Sequence, residues 1–258
     1  MLFDSPYNLR NAFPDKPVAP DGLVRFHEGD PTLYRTATSA SQTQEADEMA
    51  PVRDHRILIL DFGSQYAQLI ARRVREHRVF CEIVRHDVAP EQVIARQPRG
   101  LILSGGPGSV YESDSPRCDP ELLRLGLPIL GICYGMQLVC EFFGGNVQAS
   151  PAREYGAAEG RWTTLDPLAD GIPSPFPIWM SHGDLVQDAG PSFVPLAQTA
   201  TCPIAAVRHR DLPIYGLQFH PEVTHTPHGG RLLENFLVAV CGCRQSWTMA
   251  NFAEQAIP

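Results

Sequence analysis

In Gly131-Ile-Cys133-Tyr-Gly135 a cysteine stands between two glycines, where the apolar run LPILGI gives way to the helical pattern YGMQLVCEFFG. A nucleophile on a strand-to-helix turn sits in a cramped backbone, and glycines two residues to either side relieve the crowding. The pentapeptide has that form, with cysteine in the place serine takes in hydrolases. The following helix points free N–H groups and a positive dipole end at the sulfur, which favours thiolate. A small cysteine packed into a tight turn is the plain alternative. A cysteine nucleophile also needs a base, and the base needs an orienting acceptor. His220-Pro-Glu222, after YGLQF, offers both, because residues i and i+2 of an extended segment point the same way and Pro221 restricts the chain. Taken alone, a His-x-Glu is equally a surface pair; His225 and His228 fall in a Thr/Pro/Gly loop with no such partner. The third requirement of acyl transfer is a set of oxyanion donors. SGGPGS at 104–109 supplies backbone N–H groups, and Tyr134, directly after the cysteine, supplies another. A phosphate-binding loop would require Gly-Lys-Ser/Thr, yet the only lysine in the chain is Lys16.

These corners need a frame. Regular patterning begins at RILILDF (56–62), a short apolar run of the kind found in buried strands. A helical stripe of Tyr66, Leu69, Ile70 and Val74 follows, with Ser64 as the expected N-cap. VFCEIVR, GLILS and LPILGI read as further strands, separated by the short helix APEQVIARQ and by the loop around GGPGS. Alternating strands and helices predict an α/β fold with a doubly wound, mostly parallel central sheet covered by helices on both faces. Ligands of such sheets bind at the carboxyl ends of the strands, where both glycine-rich corners lie. From about 144 the pattern becomes short antiparallel strands (RWTTL, FPIWMSHG, VPLAQT, IAAVRH and IYGLQFH), closed by the helix GGRLLENFLVAVCG. Residues 1–54 are rich in Pro, Ser, Thr and Asp without a sustained period, and are expected to be irregular; residues 55–245 form one domain.

Composition narrows the classes. Of 258 residues, 43% are hydrophobic and 19% charged, as in an ordinary globular protein. A net charge of −8 argues against nucleic-acid and anionic-membrane partners. There is no basic-then-apolar leader, no apolar run of membrane-spanning length, and an odd count of seven cysteines, which together favour a cytoplasmic location. Cys241-Gly-Cys243 is too little for a metal site, and none is expected.

Taken together, GICYG, SGGPGS and FHPE resemble the class I (triad) glutamine amidotransferases, which have a flavodoxin-like α/β fold. Within that group ILILDFGSQYAQLIARRVRE, LILSGGPGSVY, WMSHGD and GLQFHPEVTHT resemble the amidotransferase domain of the GMP synthetases, over about Arg56 to Ala256. The resemblance implies a Cys133–His220–Glu222 triad that hydrolyses L-glutamine through a γ-glutamyl thioester. It implies an oxyanion hole at Gly106 and Tyr134, and contacts to the substrate's α-amino and α-carboxylate groups from Gly108, Gln137, Ser181, His182 and Gly183. Gln137 lies one helical turn after Cys133, which suits that role. Asp184 receives no role.

In that family the ammonia passes to a synthetase (ATP-pyrophosphatase) domain that aminates XMP with ATP and Mg. The SGGxDS-type loop of that domain does not occur in this sequence, so no cofactor is expected on this chain. Residues 246–258, SWTMANFAEQAIP, resemble the start of a linker toward such a domain, and the synthetase part is the expected partner. Residues 1–48 resemble nothing in the family, and Met49 is the expected natural start. Two other functions compete: an amidotransferase fold retained only for docking or regulation, and an amidase acting on another γ-glutamyl compound.

Overall fold

The computed structural model describes residues 56–248; the expectations for residues 1–54 and for the linker beyond Thr248 lie outside them. Nine strands form one sheet in the order β2-β1-β3-β4-β9-β8-β7-β5-β6. The half that carries the site is parallel: β2 (Cys81–Arg85), β1 (Ile57–Asp61), β3 (Gly100–Leu103), β4 (Ile129–Ile132) and β9 (Ile214–Leu217). The other half is antiparallel: β8 (Ala206–His209), β7 (Phe193–Gln198), β5 (Asn146–Trp162) and β6 (Phe176–Asp188). The strands expected after 144 therefore continue the main sheet, and the last of them, IYGLQFH, is β9, which joins the parallel half beside β4 and is antiparallel only to β8.

Strand alternation explains why both faces are covered. Ile57 and Ile59 of β1 enter one core with α1 (Ala67–Glu76) and α4 (Gly229–Glu234). Leu58 and Leu60 enter the opposite core with α2 (Pro90–Arg96) and α3 (Tyr134–Phe142). All four are fully buried, and burying such a side chain contributes about 1.5–3 kcal/mol. The apolar runs read as strands are thus two-sided, as a parallel sheet requires.

Four local features differ from the sequence-based expectation. Ser64 is not the N-cap of α1: its hydroxyl accepts the Tyr66 N–H at 3.0 Å in a turn, and the helix begins at Ala67. The buried stripe of α1 is Ala67, Ile70, Ala71 and Val74, one step round from the predicted one, which leaves Tyr66 half-buried beside His220. RWTTL, read as a short strand of its own, begins within the 17-residue strand β5, which starts at Asn146. The closing helix changes pitch, with α4 continuing as a π-type stretch over Asn235–Val240. There the buried Asn235 amide donates to the carbonyls of Leu168 and Asp170 at 3.0 and 2.8 Å.

Candidate active site

The neighbours β1, β3, β4 and β9 end at one level, so the loops that leave them converge, as expected for a ligand site of a parallel sheet. Cys133 follows β4 directly and has φ +53° and ψ −105°, a left-handed backbone that non-glycine residues rarely adopt. Strand and helix hold it there: its N–H donates to the Leu217 carbonyl of β9 at 2.7 Å, and its carbonyl accepts the Gln137 N–H at 3.1 Å. Both flanking glycines are needed for close approach. A Cβ on Gly131 would lie 2.6 Å from the backbone of Gly135, and one on Gly135 would overlap the Leu103 carbonyl. The turn is the strained, glycine-flanked strand-to-helix corner that the spacing predicts.

His220 and Glu222 follow β9 in a bent segment, not the extended one expected, and they still meet: Nδ1 of His220 is 2.7 Å from Oε1 of Glu222. Both are buried. Their turn is fixed by Thr226, whose hydroxyl donates to the His220 carbonyl at 2.7 Å and accepts the Trp179 N–H at 3.0 Å. Burial opposes the charged imidazole of His220, but hydrogen bonding to Cys133 and Glu222, together with their charges, pushes its pKa up to about 11. The favoured form at neutral pH is therefore imidazolium. The Tyr66 ring packs on it with centroids 5.1 Å apart. Burial pushes the thiols of Cys81 and Cys118 up to about 11 and that of Cys202 up to about 12, which keeps them neutral.

Cys133 lies where two cavities meet. The larger, about 620 Å³, is lined among others by Gly106, Gly108, Gln137, Ser181, His182 and Gly183, so every residue expected to contact glutamine or its oxyanion reaches one space. Tyr134 lines it too, and a Cβ on Gly106 would sit 3.2 Å from the Tyr134 ring. The smaller, about 350 Å³, opens on the His220 side between Gly63–Tyr66 and Gly105–Pro107. The loop after β3 is strapped to α3: Tyr134 Oη donates to the Pro116 carbonyl at 2.6 Å, and Arg117 pairs with Glu141 at 2.8 Å.

Two findings qualify the sequence reading. Gln137, which lines the cavity, spends both amide hydrogens inside the protein, on the Asp184 carbonyl at 2.9 Å and on Oε1 of Gln218 at 3.2 Å. Asp184, given no role from sequence, accepts the Tyr111 hydroxyl at 2.9 Å and so ties β6 to the loop after β3 beside the cavity. The sequence reading missed Gln218, fully buried, whose amide nitrogen stands 3.7 Å from the Cys133 sulfur. Its only signal was a polar residue at the end of an apolar strand, two positions before His220. Glu154 and Tyr66 were missed as well. Among the described residues no group of His, Cys, Asp and Glu is arranged to hold a metal ion, and no helix is long and apolar enough to cross a membrane.

A strained cysteine elbow facing a buried His–Glu pair on a doubly wound sheet defines a class. The family model for class-I glutamine amidotransferases matches residues 58–240, and the chain belongs to that family. Its curated relatives include the glutamine-hydrolysing GMP synthase of Caldanaerobacter subterraneus subsp. tengcongensis, 48% identical over 206 residues that cover 80% of this chain and 40% of that protein. The corresponding enzyme of Pseudomonas aeruginosa is 50% identical over 214 residues, covering 80% of this chain and 41% of the other. The chain thus spans about two fifths of the length of the curated relatives it matches. Among solved structures, a Thermoplasma acidophilum protein provisionally described as one subunit of a GMP synthase superposes with a TM-score of 0.65 at 29% identity, covering 79% of this chain and 98% of that one.

Proposed function

We propose that this chain is the glutamine-hydrolysing part of a GMP synthase, with Cys133, His220 and Glu222 as its catalytic triad. The observation that carries the proposal is the Cys133 elbow opposed by the buried His220 imidazole, whose Nδ1 lies 2.7 Å from Oε1 of Glu222. The Cys133 thiolate attacks the side-chain carbonyl carbon of glutamine. Backbone N–H groups of Gly106 and Tyr134 face the developing oxyanion, where such donors are most effective. His220 gives its proton to the departing nitrogen, ammonia leaves, and a γ-glutamyl thioester remains. His220 then takes a proton from water, the hydroxide cleaves the thioester, and glutamate and the thiolate are restored. Gly108, Gln137, Ser181, His182 and Gly183 hold the α-groups of the substrate.

In this reading the ammonia goes to an ATP- and Mg-dependent synthetase part that aminates XMP. This chain itself carries no cofactor, and it has no nucleic-acid or membrane partner. Its buried cysteines, none of which forms a disulfide among the described residues, fit the reducing cytoplasm. The test is glutamate release from glutamine, with Cys133→Ala as control, with and without a cognate synthetase part supplied with XMP and ATP-Mg. Cys133-dependent release that rises with the synthetase part is expected. Folded protein that releases none in either condition would move the assignment to a docking module.

A further inference from the structure

Phe176, Ile178 and Met180 of β6 face the core, and the next position on that face is His182. Directly opposite on β5 stands Glu154, and the following partners on that strand, Gly156, Ala158 and Gly160, are small. A carboxylate and an imidazole therefore close one end of an apolar layer. Their side chains are only 10% and 1% exposed, with Oε2 of Glu154 3.4 Å from Nε2 of His182. That is ion-pair range without hydrogen-bond geometry, and both oxygens of Glu154 and both nitrogens of His182 lack a hydrogen-bond partner.

Folding alone gives no reason for such a pair. A buried ion pair is often replaced by packed apolar residues at no loss of stability, and unpartnered buried polar atoms are destabilising. Its position is informative. His182 lines the larger cavity, and the adjoining Ser181 carbonyl lies 3.7 Å from the Cys133 sulfur. Burial lowers the His182 pKa and the charge of His220 lowers it further, while Glu154 works in the opposite direction.

We infer that Glu154 is a positioning residue of the glutamine site: it braces the buried His182 from the Nε2 side and through it fixes the Ser181–Gly183 stretch of β6 that lines the larger cavity. Within this reading Glu154 and His182 form a second His–Glu pair, on the β6 side of Cys133, that acts in binding and not in proton transfer. The inference rests on the amidotransferase assignment above.

The experiment is calorimetric titration of L-glutamine into the full chain carrying Cys133→Ala, which cannot turn the ligand over. Adding Glu154→Gln is expected to weaken binding about tenfold or more. Adding His182→Gln should do the same, and the two together should cost no more than either alone, because Glu154 acts through His182. With Cys133 intact, Glu154→Gln should raise KM by a similar factor and change kcat less than about threefold. If Glu154→Gln does not fold, Glu154→Asp, which keeps the charge but withdraws it, should weaken binding at an unchanged melting temperature. Undiminished glutamine binding by the folded Glu154 variant, or losses that multiply in the double variant, would overturn the inference and leave the amidotransferase assignment standing. A Cys133→Ala chain that binds no glutamine at all would overturn both.

Discussion

The Gln218 amide nitrogen stands 3.7 Å from the Cys133 sulfur, while the oxygen of the same amide accepts a hydrogen from Gln137. One side chain thus joins Cys133 to the helix turn that lines the larger cavity. Gln218→Leu keeps most of the volume, strands a Gln137 donor and removes a donor from the sulfur. Glutaminase kcat/KM should fall about tenfold or more, in line with a lost buried hydrogen bond. Steady-state kinetics beside a thermal melt will separate this from unfolding.

Glu222→Gln leaves a side chain of the same shape beside His220 and removes the charge that favours imidazolium. The fold should persist, and kcat should drop by about two to four orders of magnitude, as when the orienting acid of a triad is neutralised. A variant within threefold of wild type would remove Glu222 from the mechanism.

Gly135→Ala drives a methyl group into the Leu103 carbonyl, and the sheet has no slack at that point. Overpacking of this kind costs about 1–3 kcal/mol. The melting temperature of the variant should fall by several degrees, and Gly131→Ala should behave alike.

The buried histidines impose opposite pH dependences. The pKa of His220 rises from 6.5 to about 11 on folding, so its contribution to stability is complete below 6.5 and is lost as pH climbs toward 11. Burial lowers the His209 pKa, and its Nδ1 accepts the N–H groups of Asp211 and Leu212, both at 3.1 Å. Its contribution is present above 6.5 and is lost as pH falls. Denaturant unfolding should show His220→Asn to be more destabilising at pH 6 than at pH 10, and His209→Asn more destabilising at pH 8 than at pH 5.

The parallel half of the sheet was legible because two-sided burial forces unbroken apolar runs such as ILIL and LPILGI, and because the turn at Cys133 cannot be built without its glycines. The strand β5 was not, since NVQASPAREYGAAEG carries small, polar and glycine residues whose pairing with β6 leaves no alternating pattern to find. The pair of Glu154 and His182 was hidden for a different reason. Its members are neighbours only through strand register, which local sequence does not encode. Ser64 misled because an N-cap and a serine turn use the same hydroxyl acceptor one or two residues apart.

The place of β9 in the sheet has a consequence for the making of the protein. It is the last strand to leave the ribosome among those described, yet it inserts between β4 and β8 and carries His220 and Glu222 at its end. Until it docks, the sulfur of Cys133 has neither its proton partner nor the Leu217 carbonyl that pins its backbone. A nascent chain holding everything up to β8 therefore displays Cys133 without His220 and Glu222 beside it, and the three residues of the proposed triad come together only when the centre of the sheet closes.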